Sequence, residues 1–91
     1  MKKSVRLTIK GSLQPVFFNQ YIKENADKLG IRGYLRSLQD GRLEVFLEGN
    51  INAVNEMTAL CKKGTGHTRI RGVEEKEERF QDFRDFKELK I

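Results

Sequence analysis

From Gly11 to Gln20 the chain reads Gly-Ser-Leu-Gln-Pro-Val-Phe-Phe-Asn-Gln, a run suited to holding an anion. It stands between an alternating segment and an amphipathic one. A strand that breaks at Gly11 and resumes as a helix near Phe17 leaves several backbone N–H groups unpaired at a helix N-terminus, where the helix dipole also favours an anion. The loop Ser12, Leu13, Gln14, Pro15, Val16, Phe17 and Phe18 is therefore a seat for phosphate, sulfate or carboxylate, with Asn19 at its end. The same residues admit a packing reading, because Val16 and Phe18 have the character of core and Gly11 that of a position chosen for its backbone conformation.

The flanking pattern must position this loop. Val5, Leu7 and Ile9 alternate with Arg6, Thr8 and Lys10, which predicts a first strand with one buried face. Phe18, Tyr21, Ile22, Ala26 and Leu29 recur at helical spacing, and Gly30 follows where a left-handed cap belongs. Two further strands are predicted, one with Ile31, Gly33 and Leu35 on its inner face, the other with Leu43, Val45 and Leu47. Gln39-Asp40-Gly41 joins them as a hairpin. Asn50 is a candidate N-cap for a second helix with the stripe Ala53, Val54, Met57, Leu60 and Cys61, stopped by Gly64-Thr65-Gly66. A strand from about Thr68 to Phe80 changes parity between Ile70 and Val73, so a bulge is expected near Gly72, with an acidic, solvated edge beyond it. Phe83, Phe86, Leu89 and Ile91 fit either a short last strand or a packed tail.

The order β-α-β-β-α-β, with one apolar face per element, predicts an α+β ferredoxin-like two-layer sandwich: an antiparallel sheet of four to five strands with both helices on one face. Its right-handed first crossover makes strands one and two parallel, with strand three between them. The loop and the end of strand two then become neighbours. Ser37 shares the parity of Leu35, which predicts Ser37 and Asn19 in one pocket.

A chain of 91 residues supports one core and one site, so residues 1–91 are read as a single domain. No run approaches the ~20 apolar residues of a membrane-spanning helix, and the basic start Met1-Lys2-Lys3-Ser4 leads into alternation instead of a signal-peptide core. The cytoplasm is the expected compartment, without a membrane association. Cys61 is the one cysteine and His67 the one histidine, which leaves no disulfide and no metal-ligand constellation. Cys61 reads as a buried small hydrophobe of the second helix, His67 as a loop residue. Of the charges behind the net +5, Met1 to Val73 carries 13 basic against 6 acidic side chains, and Glu74 to Ile91 carries 5 against 7. The basic field belongs to the part that holds the loop and would steer a small anionic or phosphorylated ligand toward it.

Two stretches resemble one family. Gly11, Leu13-Gln14, Val16 and Phe18 resemble the acylphosphatase loop Gly-x-Val-Gln-Gly-Val-x-Phe-Arg. Ala26-x-x-Leu29-Gly30-Ile31-x-Gly33-Tyr34-Leu35-Arg36-Ser37-x-x-Asp40-Gly41 resembles its signature Ala-x-x-Leu-Gly-Leu-x-Gly-Trp-Val-Arg-Asn-x-x-Asp-Gly. The similarity runs from Val5 to about Leu89. It implies hydrolysis of acyl phosphates to carboxylate and phosphate without cofactor or metal, the loop amides and an arginine holding the phosphoryl group while an asparagine positions the attacking water.

Here the arginine position is Asn19 and the asparagine position is Ser37. Asn19 has no charge and cannot make a bidentate guanidinium contact. Ser37 is shorter than a carboxamide. Pro15 stands where the family has a loop glycine, removes one N–H and confines φ near −65°. Losing one preorganised donor to a developing charge costs on the order of 10²- to 10³-fold, so a weak or lost activity with retained anion binding is the expectation. Lys10, Arg36 and Arg42 are the cations that topology brings nearest. The alternative is a non-enzymatic module binding a phosphorylated ligand, a protein or single-stranded nucleic acid. Arg6, Arg32, Tyr34, Arg36 and Phe46 share the outer sheet face, where aromatics could stack on bases. Nucleic acid is the less favoured partner, since the RNA-recognition signature is absent. A monomer is expected.

Overall fold

Each predicted strand and helix forms where its apolar period places it. The computed structural model describes residues 1–90. In chain order the elements are β1 (Lys2–Ser12), α1 (Pro15–Leu29), β2 (Arg32–Ser37), β3 (Leu43–Asn50), α2 (Ile51–Lys63), β4 (Arg69–Glu77) and β5 (Phe86–Glu88). The strands form one sheet in the order β4-β1-β3-β2-β5. β1 to β4 pair antiparallel, and β5 lies parallel to β2, so the fifth strand makes the sheet mixed, not wholly antiparallel.

Between sheet and helices lies the core: Val5, Leu7, Ile9, Leu35, Val45 and Leu47 meet Phe18, Ile22, Ala26, Val54, Met57 and Cys61. α1 ends on Gly30 in the left-handed region, and the side chain of Asn50 caps α2 by accepting from the Asn52 amide at 2.9 Å. The bulge falls where parity changes: Lys10 pairs with Gly72 and Gly11 with Ile70, leaving Arg71 as the extra residue.

The outer sheet face departs from its predicted solvation. Glu44 and Glu48, in the polar phase of β3, are 7% and 0% exposed. After β4, residues 78–85 leave the strand and cross this face over β1, β3 and β2 in turn. The Glu78 amide bonds the Ser4 carbonyl at 2.9 Å, the amides of Gln81 and Phe83 bond the Glu48 carboxylate, and the Gly33 amide bonds the Asp85 carbonyl at 2.9 Å. Phe83 packs edge-on against Tyr34 and Phe46, which stack on each other at 5.7 Å. The crossing segment ends β4 at Glu77, short of Phe80, and delivers β5 to the free edge of β2. The expectation for Ile91 lies outside the described residues.

Gly33 marks the closest approach in this layer. Its φ is +135°, and a Cβ there would lie 1.9 Å from the carbonyl oxygen of Phe46. Glycine is the residue that fits.

Candidate functional site

The turn at the head of α1 is tighter than the residue pattern suggests. β1 continues to Ser12, which pairs with Arg69, and α1 starts at Pro15, so only Leu13 and Gln14 lie between strand and helix. Proline explains the early start: its fixed φ suits the first helical position, where the missing N–H would have no intrahelical partner. Gln14 takes the left-handed conformation, φ 51° and ψ 70°, and its carbonyl accepts from the amides of Phe17 at 2.9 Å and Phe18 at 3.0 Å. Among the described residues, the amides of Leu13, Gln14 and Val16 make no backbone hydrogen bond.

The loop side chains divide between core and surface. Leu13 and Phe18 are buried, whereas Val16 is 80% and Phe17 50% exposed, which removes Val16 from the packing reading. Helix geometry gives the reason: Phe18, Ile22 and Ala26 define the inward stripe, and Val16, two residues earlier, is turned away from it. Phe17 stacks on His67 with ring centroids 4.6 Å apart. His67 is held there by a turn in which the Thr65 amide bonds the Thr68 hydroxyl at 2.7 Å and the His67 amide bonds the Thr65 hydroxyl at 3.1 Å.

Asn19 is buried on α1, and its amide donates from Nδ2 to Oε2 of Glu88 at 3.2 Å. Its carbonyl oxygen, Oδ1, is buried and has no hydrogen-bond partner among the described residues. Glu88 reaches it because β5 pairs parallel with β2 in register Leu35 to Glu88, so the two side chains share the helix side of the sheet. Asn19 and Glu88 line a groove of about 500 Å³ that also meets Val16, Lys23, Glu24 and Asp27. Ser37 does not line that groove. It is exposed at the end of β2, paired with Leu43. β5 places Glu88 beside Asn19.

Two of the three nearby cations are already engaged. Arg36 pairs with Glu44 at 2.8 Å and Arg42 with Asp40 at 2.6 Å. Lys10 lies in a separate cleft with Arg42 and Arg71. Burial works to raise the Glu44 carboxyl, but hydrogen bonds from Arg36 and Tyr34 outweigh it and hold the group below the usual carboxylate range. The Tyr34 hydroxyl is pushed up by burial and by its bond to Glu44.

Among the described residues, the outer face consequently offers no open stacking platform. Phe46 is 5% exposed under Phe83, the Tyr34 hydroxyl donates to Glu44, Arg6 pairs with Glu78 at 3.0 Å, and Arg32 donates to the Phe83 carbonyl at 3.3 Å. Cys61 is fully buried, and burial pushes its thiol up to about 12, the character of a core residue and not of a nucleophile. Among the described residues no group of three His, Cys, Asp or Glu side chains is placed to hold a metal ion, and no helix is long and apolar enough to cross a membrane.

Sequence reasoning missed Glu88, Glu48 and the placement of His67. For Glu88 a signal existed: it lies two residues beyond Phe86, and period-two parity puts both on the inner face of a last strand.

Comparison with known proteins places this geometry among relatives. The family model described as acylphosphatase matches residues 5–88. A protein named acylphosphatase from Rubrobacter xylanophilus is 43% identical over 76 residues, covering 84% of this chain and 69% of the relative. One of the same name from Alkalilimnicola ehrlichii is 38% identical over 74 residues, covering 81% of this chain and 83% of the relative. The crystal structure of acylphosphatase from Bacillus subtilis superposes with a TM-score of 0.90 at 25% identity, covering 99% of this chain and 100% of that one.

Proposed function

Since this chain belongs to the acylphosphatase family, we propose that its loop from Ser12 to Phe18 binds the phosphoryl group of an acyl phosphate and that hydrolysis there is weak or lost. The chemistry of the family substrate is the attack of water on phosphorus, with the bond between phosphorus and the bridging acyl oxygen breaking and its electron pair leaving on the carboxylate. One proton is released to solvent. Charge on the transferring phosphoryl group must be met by donors and cations aimed at it.

One observation carries the reading. Asn19, at the family's arginine position, is neutral and turned toward the Glu88 carboxylate. Instead of a guanidinium, the head of α1 has an amide tied to an anion. The amides of Leu13, Gln14 and Val16 remain to hold phosphate, assisted by the positive end of the α1 dipole. Ser37, exposed at the end of β2, is the weaker substitute for a carboxamide in orienting water.

The test is acetyl phosphate hydrolysis by the wild type and by Asn19→Arg/Ser37→Asn, with inorganic phosphate binding followed in parallel. The expected result is near-background turnover by the wild type and a gain of about 10²-fold in the double variant. Efficient wild-type turnover overturns the proposed loss. Absence of phosphate binding to either protein overturns the anion site.

A further inference from the structure

Hydrogen bonds fix the turn that carries His67. The Thr65 carbonyl accepts from the Thr68 amide at 3.2 Å and from the Thr68 hydroxyl at 3.0 Å. The Thr65 amide donates to that hydroxyl at 2.7 Å, and the His67 amide donates to the Thr65 hydroxyl at 3.1 Å. Gly64 closes the turn from behind, with φ +71° and no room for a Cβ, which would lie 2.5 Å from the Thr68 hydroxyl oxygen. His67 is thereby held out at the surface, its ring on that of Phe17 with 4.6 Å between centroids and 24° between planes. Phe17 stays 50% exposed beside it, and neither ring belongs to the core.

Topology gives this pair a side. The end of β1 is flanked on one side by the start of β4, where Ser12 pairs with Arg69, and on the other by β3 and then β2, which ends in Ser37. With strands about 4.8 Å apart, Ser37 lies about two spacings from β1 in one direction, and the turn before Arg69 about one spacing in the other. Displacement at phosphorus sets the attacking and leaving oxygens roughly in line. A phosphoryl group on the amides of Leu13, Gln14 and Val16, attacked by a water from the Ser37 side, therefore directs its acyl oxygen toward β4. Phe17 and His67 stand on that side, and Phe17 is the next residue after the Val16 amide.

Resting on the function proposed above, we propose that the Phe17–His67 stack is the acyl-side subsite of the loop and that it selects a flat, aromatic acyl group over a small aliphatic one. An aromatic acyl group brings a π-face that extends the existing stack in the offset arrangement such rings favour. An acetyl group brings one methyl and covers little of either ring. Phe17 and His67 then set which acyl phosphate is held, while the loop amides hold the phosphoryl group common to all of them.

The test uses two unreactive analogues in which a methylene replaces the bridging oxygen, acetonylphosphonate and phenacylphosphonate, titrated calorimetrically into the full chain. Phenacylphosphonate is expected to bind the wild type about tenfold more tightly. The chain has one histidine, so its ring protons give a single unambiguous set of NMR signals. These should move upfield on saturation with phenacylphosphonate and not with acetonylphosphonate. Phe17→Leu and His67→Ala, both at exposed positions, should each cut the preference to about twofold or less, through weaker binding of the phenacyl analogue alone. Glu24→Gln, exposed on the β5 side of α1, should keep the preference whole. Equal affinity for the two analogues, a preference that survives either substitution, or His67 signals indifferent to the phenyl ring overturns the subsite and leaves the acyl phosphate reading standing. Binding of neither analogue overturns the acyl phosphate reading, and the subsite with it.

Discussion

On the outer sheet face, the buried carboxylates of β3 are matched to partners. Glu48 takes bonds from Ser4, Gln81 and Phe83, and Glu44 from Tyr34 and Arg36. At the head of α1, Asn19 leaves its carbonyl unmatched while Val16 and Phe17 stand exposed beside it. A satisfied buried network fixes one arrangement of the chain, whereas an unmatched buried carbonyl is a local cost to folding. The first region holds β5 in place. The second is what β5 helps to build.

The largest expected effect breaks the first region. Glu48→Ala strands the amides of Gln81 and Phe83 and the hydroxyl of Ser4, and should lower stability by about 3 kcal/mol in denaturant unfolding. Hydrogen exchange at Gln81 and Phe83 should accelerate more than at Val45 in the core. Equal acceleration at all three would mean that Glu48 supports the whole sheet and not the crossing segment.

A smaller effect follows from Glu44. Its carboxyl ionises more readily in the folded chain than in the unfolded one, so its contribution is whole above the ordinary Glu value and disappears as pH falls through the lowered folded value. Between about pH 5 and about pH 3, Glu44→Gln should therefore lose less stability than the wild type. Parallel pH profiles for the two proteins would refute this account of the outer-face network.

The smallest change belongs to the site. Asn19→Ala removes a carbonyl that is already unmatched and one bond to Glu88, an exposed residue that water can solvate. Stability should shift by less than about 1 kcal/mol, measured by thermal unfolding. A loss as large as that of Glu48→Ala would show that Asn19 is structural and that the contrast between the two regions is false.

Much of this was legible along the chain. Alternation at Val5, Leu7 and Ile9, the helical stripe at Phe18, Ile22 and Ala26, the Asn50 cap and the parity change at Gly72 are each written in neighbouring residues, because backbone period and capping are local. The loop could be recognised for the same reason, although its length could not: Pro15 begins the helix instead of extending the turn. The Glu88 carboxylate beside Asn19 was not legible in the same way, because it depends on how β5 pairs with β2.

Neighbouring residues alone were enough for the two-layer fold and for the turn between β1 and α1, and the family resemblance implied that Asn19 and Ser37 stand where an arginine and an asparagine would. Long-range packing was needed to make Glu48 a buried anchor, to cover the outer face and to bring Glu88 onto Asn19. Residues 78–85 carry no period of their own, and their partner in β3 lies 33 to 35 positions away. Contacts of that separation depend on where the sheet brings the chain, which no local pattern records.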